Sequence, residues 1–135
     1  MRLSFFVVLV GLLALVLPCT ATGQSTATVI VKPKALLVAG GGAALTTVSV
    51  RCTLGPGDQL LEGLVSVSQE QAFGSSSLNP TCDGKRHRID VQVPTMGRLF
   101  QPGAAAASAF LLFLDPESGT TVSAQDSRTI KLHGS

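Results

Sequence analysis

The chain has 135 residues, of which 45% are hydrophobic and 13% are charged, with ten basic and eight acidic side chains. This composition excludes an intrinsically disordered chain, and a formal net charge of +2 is too small to steer the protein toward nucleic acid or an anionic membrane. Length and composition together fit one globular domain.

The N-terminal segment has the pattern of a removable signal peptide. Arg2 precedes an apolar stretch over residues 3–17, and Pro18 ends any helix because it lacks an N–H and clashes with the preceding turn. We predict cleavage after Gly23, which leaves residues 24–135 as the working domain, with nine basic side chains against eight acidic ones.

Two alternatives remain open for this segment. An uncleaved membrane anchor would need about 20 apolar residues, and the run is several residues shorter. A lipoprotein would carry its acyl chain on Cys19, but the residues just before it are Leu17 and Pro18, where small side chains are usual. The preferred interpretation predicts a secreted, extracellular protein with no stable membrane span after processing.

Three cysteines in the whole chain become two once Cys19 is removed with the signal peptide. The only possible intramolecular pair is then Cys52 with Cys82, and in an oxidising compartment we expect these two to form a disulfide. The bond would close a loop of about 30 residues, which stabilises the fold by about 3.7 kcal/mol in the chain-entropy model. Two free buried thiols are the alternative.

Alternation of apolar and polar residues runs through the first half of the domain and predicts strands. Residues 28–31 and 35–38 form a first strand with a kink, and the glycines at 40–42 make a turn. Residues 46–52 form a second strand with Cys52 facing the core. We expect this strand to pair antiparallel with the next one, over residues 61–67, whose buried face includes Leu61.

The second half continues in the same way. Residues 71–80, rich in Ser and Gly, predict a surface loop. Asp83 and Gly84 predict a tight hairpin turn before a strand over residues 89–93. Residues 104–114 fit either a helix, because they begin with four alanines, or a buried strand, which we favour. Residues 120–132 supply a last strand, with a bulge expected near Asp126.

About seven short strands with turns between them predict an all-β fold, an immunoglobulin-like antiparallel β-sandwich. The sequence differs from antibody-type domains because it has no Trp to pack on the disulfide, and because Cys82 precedes the fifth strand. Strand order therefore stays open.

A resemblance supports the same fold. Cys52, the run from Cys82 through Asp83 and Gly84 to His87, and the segment 100–109 resemble a domain-of-unknown-function family of small exported bacterial β-sandwich proteins with one disulfide. The similarity covers about the middle two-thirds of the domain, although Ile89 stands where an aromatic residue is expected. It implies a fold and a location but no activity, since the family has none assigned.

Residues with catalytic or metal-binding chemistry are few. The chain has two histidines, His87 and His133, so no metal-ligand spacing exists, and we expect neither a metal nor another cofactor. No G-x-S-x-G motif occurs. His87 has the same parity as Ile89 and Val91, which predicts that it caps the core at the end of a strand rather than acting as a base.

The sequence therefore favours an exported, non-enzymatic module that binds a cell-envelope component or an extracellular protein. Candidate surface contacts are Phe73 and the basic residues Lys85, Arg86 and Arg88. The basic residues form either a solvated turn or a contact for anionic wall polymers or polysaccharide. Two alternatives stay open. One is a secreted enzyme or protease inhibitor; the other is a small-molecule carrier with a hydrophobic crevice, whose expected lining is drawn from Phe73, Phe100, Phe110 and Phe113.

Overall fold

A computed structural model describes residues 24–134; the predicted signal peptide and the alternatives at Cys19 lie outside the described residues. The described chain contains seven strands and one short 3-10 turn, Ala39–Gly41. In chain order the strands are β1 (Thr26–Val38), β2 (Ala43–Thr53), β3 (Gln59–Gln69), β4 (Ala72–Ser77), β5 (Asp83–Pro94), β6 (Gly103–Leu114) and β7 (Thr121–His133). The prediction of an all-β fold with about seven strands is confirmed.

The strands form one curled sheet in the order β4-β3-β6-β7-β1-β2-β5. Neighbours run antiparallel except β1 and β7, which run parallel where Lys34–Leu36 faces Lys131–His133, so the sheet is mixed. This parallel pair joins a three-stranded half, β1-β2-β5, to a four-stranded half, β4-β3-β6-β7. The predicted arrangement is corrected in one respect: the two halves belong to one continuous, mixed sheet rather than to a purely antiparallel sandwich.

One hydrophobic core lies between the two halves, and alternate residues of nearly every strand point into it. Val48 and Val50 enter from the three-stranded half, whereas Val65, Leu111 and Phe113 enter from the four-stranded half, and all five are at most 1% exposed. The alternating alanines of β6 are inward and small, which suits a central strand flanked by β3 and β7. The preference for a strand over residues 104–114 is confirmed.

The predicted pairing between residues 46–52 and 61–67 is wrong. β2 pairs with β1 and β5, and β3 pairs with β4 and β6. The connection between β2 and β3 carries the chain from one half to the other, and Ser25 fixes it. The Ser25 hydroxyl accepts a hydrogen bond from the Gly55 N–H at 3.1 Å and donates one to the Asp58 carboxylate at 2.5 Å.

The prediction of a surface loop over residues 71–80 is also wrong, because residues 72–77 are the strand β4. Its hairpin with β3 turns at Glu70 and Gln71, and Glu70 takes a positive φ of 48°. Gly74 faces inward so closely that a Cβ there would lie 2.0 Å from the Pro94 carbonyl oxygen. The absence of a side chain therefore lets β4 approach the end of β5.

Asp83 and Gly84 do not form the predicted hairpin turn. Asp83 begins β5 and pairs with Thr53 of β2, and the register shifts between Thr53 and Arg51. Gly84 has a positive φ of 79°, which accommodates this register shift within the β2–β5 pair. The Asp-Gly pattern correctly indicated a positive φ, but positive φ occurs at bulges as well as at turns.

Two smaller predictions need correction. Leu61 was expected on the buried face of β3, but it is 50% exposed because the register with β6 shifts between Leu60 and Glu62. The bulge expected near Asp126 does not occur, since β6 and β7 pair without a register shift along their length. The Asp126 carboxylate instead accepts a hydrogen bond from the Val31 N–H at 2.8 Å and so ties β7 to β1.

Candidate functional site

The disulfide predicted between Cys52 and Cys82 is present, and it joins the end of β2 to the residue just before β5. The two Cα atoms are 4.6 Å apart and the cysteines are separated by 30 positions. The closed loop contains all of β3 and β4. Cys52 is 1% exposed and packs in the core, so the bond forms part of the buried frame that supports the surfaces described next.

One end of the sandwich presents three large apolar side chains, Phe73, Met96 and Leu99, which we call the apolar end. The segment after β5 runs beside β4, so Met96 lies next to Phe73, and Leu99 follows three residues later in the same segment. The Met96 N–H donates to the Phe73 carbonyl oxygen at 2.7 Å, and the Arg98 N–H donates to the Gln71 carbonyl oxygen at 3.4 Å. Backbone hydrogen bonds therefore hold this surface in place.

These three residues are the most exposed large hydrophobic side chains among the described residues. Met96 is 71% exposed, and Phe73 and Leu99 are each 52% exposed. Leu61, which is 50% exposed, comes next but lies away from them, on β3. Single exposed hydrophobic residues are common on protein surfaces, whereas several of them in one region make that region a candidate contact surface.

A groove of about 900 Å³ adjoins the apolar end. Leu99 belongs to both, and the groove runs past Glu70 and Arg98 onto the outer face of β6. The Gln69 side chain spans its base: its amide nitrogen donates to the carbonyl oxygens of Gln101 and Ala104 at 2.8 and 3.1 Å, and its amide oxygen accepts from the Gln101 N–H at 2.8 Å. These bonds fix the groove in a preformed shape.

A second surface lies on the outside of the three-stranded half and consists of Arg51, Arg86 and Arg88, which we call the arginine face. Arg51 of β2 lies directly opposite Arg86 of β5, and Arg88 follows two residues along β5. Residues in opposite positions, and residues two apart on one strand, share a face of the sheet. All three are exposed, and the Arg51 Nε donates to the Gly84 carbonyl oxygen at 2.9 Å.

Lys85 and His87 alternate with these arginines. His87 was expected to cap the core; its side chain is 37% exposed, and its Nε2 lies 2.8 Å from the Asp83 carboxylate. The hydrogen bond with His87, followed by the one from the Lys85 N–H, lowers the pKa of Asp83 below its ordinary 3.8. Asp83 is therefore engaged with its own strand and does not neutralise Arg86 or Arg88.

The four phenylalanines proposed for a carrier crevice do not meet. Phe100 and Phe113 are each 1% exposed and belong to the packed core. Phe110 is half-buried and has the opposite parity from Phe113 on β6, so it lies on the outer face. Phe73 lies at the apolar end.

Within residues 24–134, no group of three or more His, Cys, Asp or Glu side chains is arranged to hold a metal ion. Over the same residues, no helix has the length and apolar character needed to cross a membrane.

Three residues of these surfaces were not among the candidate contacts from sequence. Arg51 was placed on an outward face, but only the unexpected pairing of β2 with β5 brings it opposite Arg86. Met96 and Leu99 follow a strand with no periodic pattern of their own. Their signal was the presence of two large apolar residues in a short polar connection, close to Arg98.

In comparisons with known proteins, no family model matches the sequence, and neither a curated protein nor a solved structure matches significantly.

Proposed function

We propose that this protein is an exported, non-enzymatic binding module that contacts another extracellular protein or a protein of the cell envelope through its apolar end. The observation that carries the proposal is the grouping of Phe73, Met96 and Leu99, the three most exposed large hydrophobic side chains of the described chain. Aromatic and Met side chains are enriched in the centres of protein–protein interfaces.

The surroundings of the apolar end favour a protein as the partner. Arg98 and Glu70 line the groove beside it with opposite charges, whereas the Gln69 amide and the Gln101 backbone are already hydrogen-bonded to each other. An apolar centre with a charged and hydrogen-bonding rim is the usual arrangement of a protein interface. Since Gln69 already fixes the groove, little conformational entropy would be lost on binding.

Export is supported by two independent features. The apolar stretch over residues 3–17 followed by Pro18 fits a signal peptide, and the Cys52–Cys82 disulfide fits an oxidising compartment. Intact mass spectrometry of the protein from culture medium tests this part. We expect the mass of residues 24–135 less two hydrogens; retention of residues 1–23 would contradict export by cleavage.

Site-specific crosslinking in the native cells tests the binding surface. A photoreactive phenylalanine analogue is placed at Phe73, at Leu99 and, as a matched control of nearly equal exposure, at Leu61. We expect the first two positions to give the same discrete protein adduct and the control position to give none. The same adducts from all three positions, or none from Phe73 and Leu99, would refute a partner at the apolar end.

A variant separates binding from folding. Phe73→Ser removes a side chain that is 52% exposed, so the free energy of unfolding should fall by only about 1 kcal/mol, too little to unfold the domain. The same variant should abolish the adduct formed from Leu99. Leu61→Ser, which makes the same kind of change outside the apolar end, should leave that adduct unchanged.

A further inference from the structure

Positive charge is concentrated on one half of the sandwich. Six of the nine basic residues of the described chain lie on β1, β2 and β5, but only two of the eight acidic residues do. The three-stranded half therefore carries a net charge of +4, and the rest of the described chain carries −3. A nearly neutral protein thus has a strongly polar charge distribution, which favours binding through one face.

The arginine face is the centre of this positive half, and its guanidinium groups lack carboxylate partners. Among residues 24–134, the ion pairs join His87 to Asp83 and Arg128 to Asp126, and none involves Arg51, Arg86 or Arg88. Like charges directly opposite each other on neighbouring strands, as Arg51 and Arg86 are, destabilise a sheet. An external anion placed between them would remove this repulsion.

The positive charge also continues along the sheet. Arg88 and Lys34 line one shallow depression of about 420 Å³, together with His133 and Asp90. From the level of Arg51 to that of Thr47, which lies opposite Asp90, the face spans four residues of strand, or about 14 Å. The length of this track fits several successive charges of a polymer rather than one small ion.

The other groups on this face bear on which class of anionic ligand it suits. Thr28 of β1 lies opposite Arg51, and its exposed hydroxyl group suits the hydroxyl groups of a sugar, whereas Ser49 is only 4% exposed and is closed to a ligand. Asp90 is held by the Thr47 hydroxyl, which donates to it at 2.7 Å. The cross-strand rows through Arg51, Ser49 and Thr47 carry no aromatic residue on which a nucleic-acid base could stack.

We infer that the arginine face binds an anionic polysaccharide, with guanidinium groups paired to its carboxylate, sulfate or phosphate oxygens. Arginine suits this role because its planar fork forms two parallel hydrogen bonds to such a group. The apolar end lies on different residues, so the protein can hold an anionic polymer and a protein partner at the same time. The inference stands whether or not the apolar end binds a protein.

Calorimetric titration at physiological salt tests the inference with three polymers: polygalacturonate, which carries carboxylates, dextran sulfate, and neutral dextran. We expect binding to at least one of the two acidic polymers and none to dextran. The relative strength of the two distinguishes a carboxylate from a sulfate ligand. Absence of binding to both acidic polymers, or equal binding of dextran, would overturn the inference.

A variant with Arg51→Gln, Arg86→Gln and Arg88→Gln should bind the acidic polymer at least about tenfold more weakly, because three charge-assisted contacts are lost. The matched control carries Arg98→Gln, Arg128→Gln and Lys131→Gln, the three basic residues of the described chain that lie outside the three-stranded half. It has the same net charge and should retain affinity within about threefold. Equal losses in both variants would show attraction by net charge alone and overturn the site.

Two further measurements complete the test. Thermal unfolding of the control variant should match the wild type closely, because its three substituted side chains are exposed. The arginine variant should unfold at the same temperature or slightly above it, because the repulsion between Arg51 and Arg86 is removed. Single-stranded DNA and vesicles containing an anionic phospholipid serve as competing probes. Tighter binding of either one than of the acidic polysaccharides would overturn the proposed class of ligand.

Discussion

Loss of the disulfide should lower the stability of this protein by a large fraction. The bond joins residues 30 positions apart, and the chain-entropy model then gives about 3.7 kcal/mol of stabilisation. A domain of this size is stable by about 5–15 kcal/mol in total. The variant with Cys52→Ala and Cys82→Ala should therefore unfold about 15 °C lower than the wild type, since about 4 °C is lost per kcal/mol.

Urea unfolding, followed by far-ultraviolet circular dichroism, measures the effect. Wild type in reductant is the matched control. It loses the disulfide but keeps the buried sulfur atom of Cys52, whereas the alanine variant loses both. Both should fall well below the oxidised protein, with the alanine variant the lower of the two. A difference below about 1 kcal/mol between oxidised and reduced wild type would refute the loop-closure reasoning.

Three further predictions concern single residues of the fold. Gly74→Ala should destabilise the protein by about 2 kcal/mol or more in urea unfolding, because the new methyl group would meet a backbone carbonyl oxygen 2.0 Å away. Gly134→Ala is the control and should have almost no effect, because open space surrounds Gly134. Asp126→Ala should cost about 1.5 kcal/mol, because a backbone N–H of β1 loses its charged acceptor, and unchanged stability would contradict that role. The lowered pKa of Asp83 means that its contribution is present above about pH 3.8 and is lost as the pH falls through its lower folded pKa. Carboxyl-carbon NMR should therefore give Asp83 a titration midpoint below 3.8, and His87→Ala should raise that midpoint.

The alternation of apolar and polar residues predicted the positions of most strands, because it is a local property. Side chains two residues apart share a face whichever strand lies alongside. Strand partners are not local. Residues 46–52 and 61–67 are neighbours in sequence and both have one apolar face, so a hairpin was a reasonable prediction. The structure uses the same two faces on opposite sides of the core.

The strand β4 shows a second limit of the sequence. Its residues, Ala72–Ser77, are mostly small and flexible, and they form a strand because β3 offers a paired backbone along their whole length. Tertiary context overrides such weak local preference. The same limit hid the arginine face, since Arg51 and Arg86 become neighbours only through the pairing of β2 with β5.

The two outermost strands of the sheet also limit association between copies of this protein. At β4, the carbonyl groups of Phe73 and of Gln71, the residue just before the strand, already accept hydrogen bonds from the segment that follows β5. On β5, Arg86 and Arg88 would face the same charges in a second copy. Unpaired strand edges are where chains add to one another and grow into fibrils, and charged or covered edges oppose this. Both edges of the described sheet therefore disfavour the addition of a second copy.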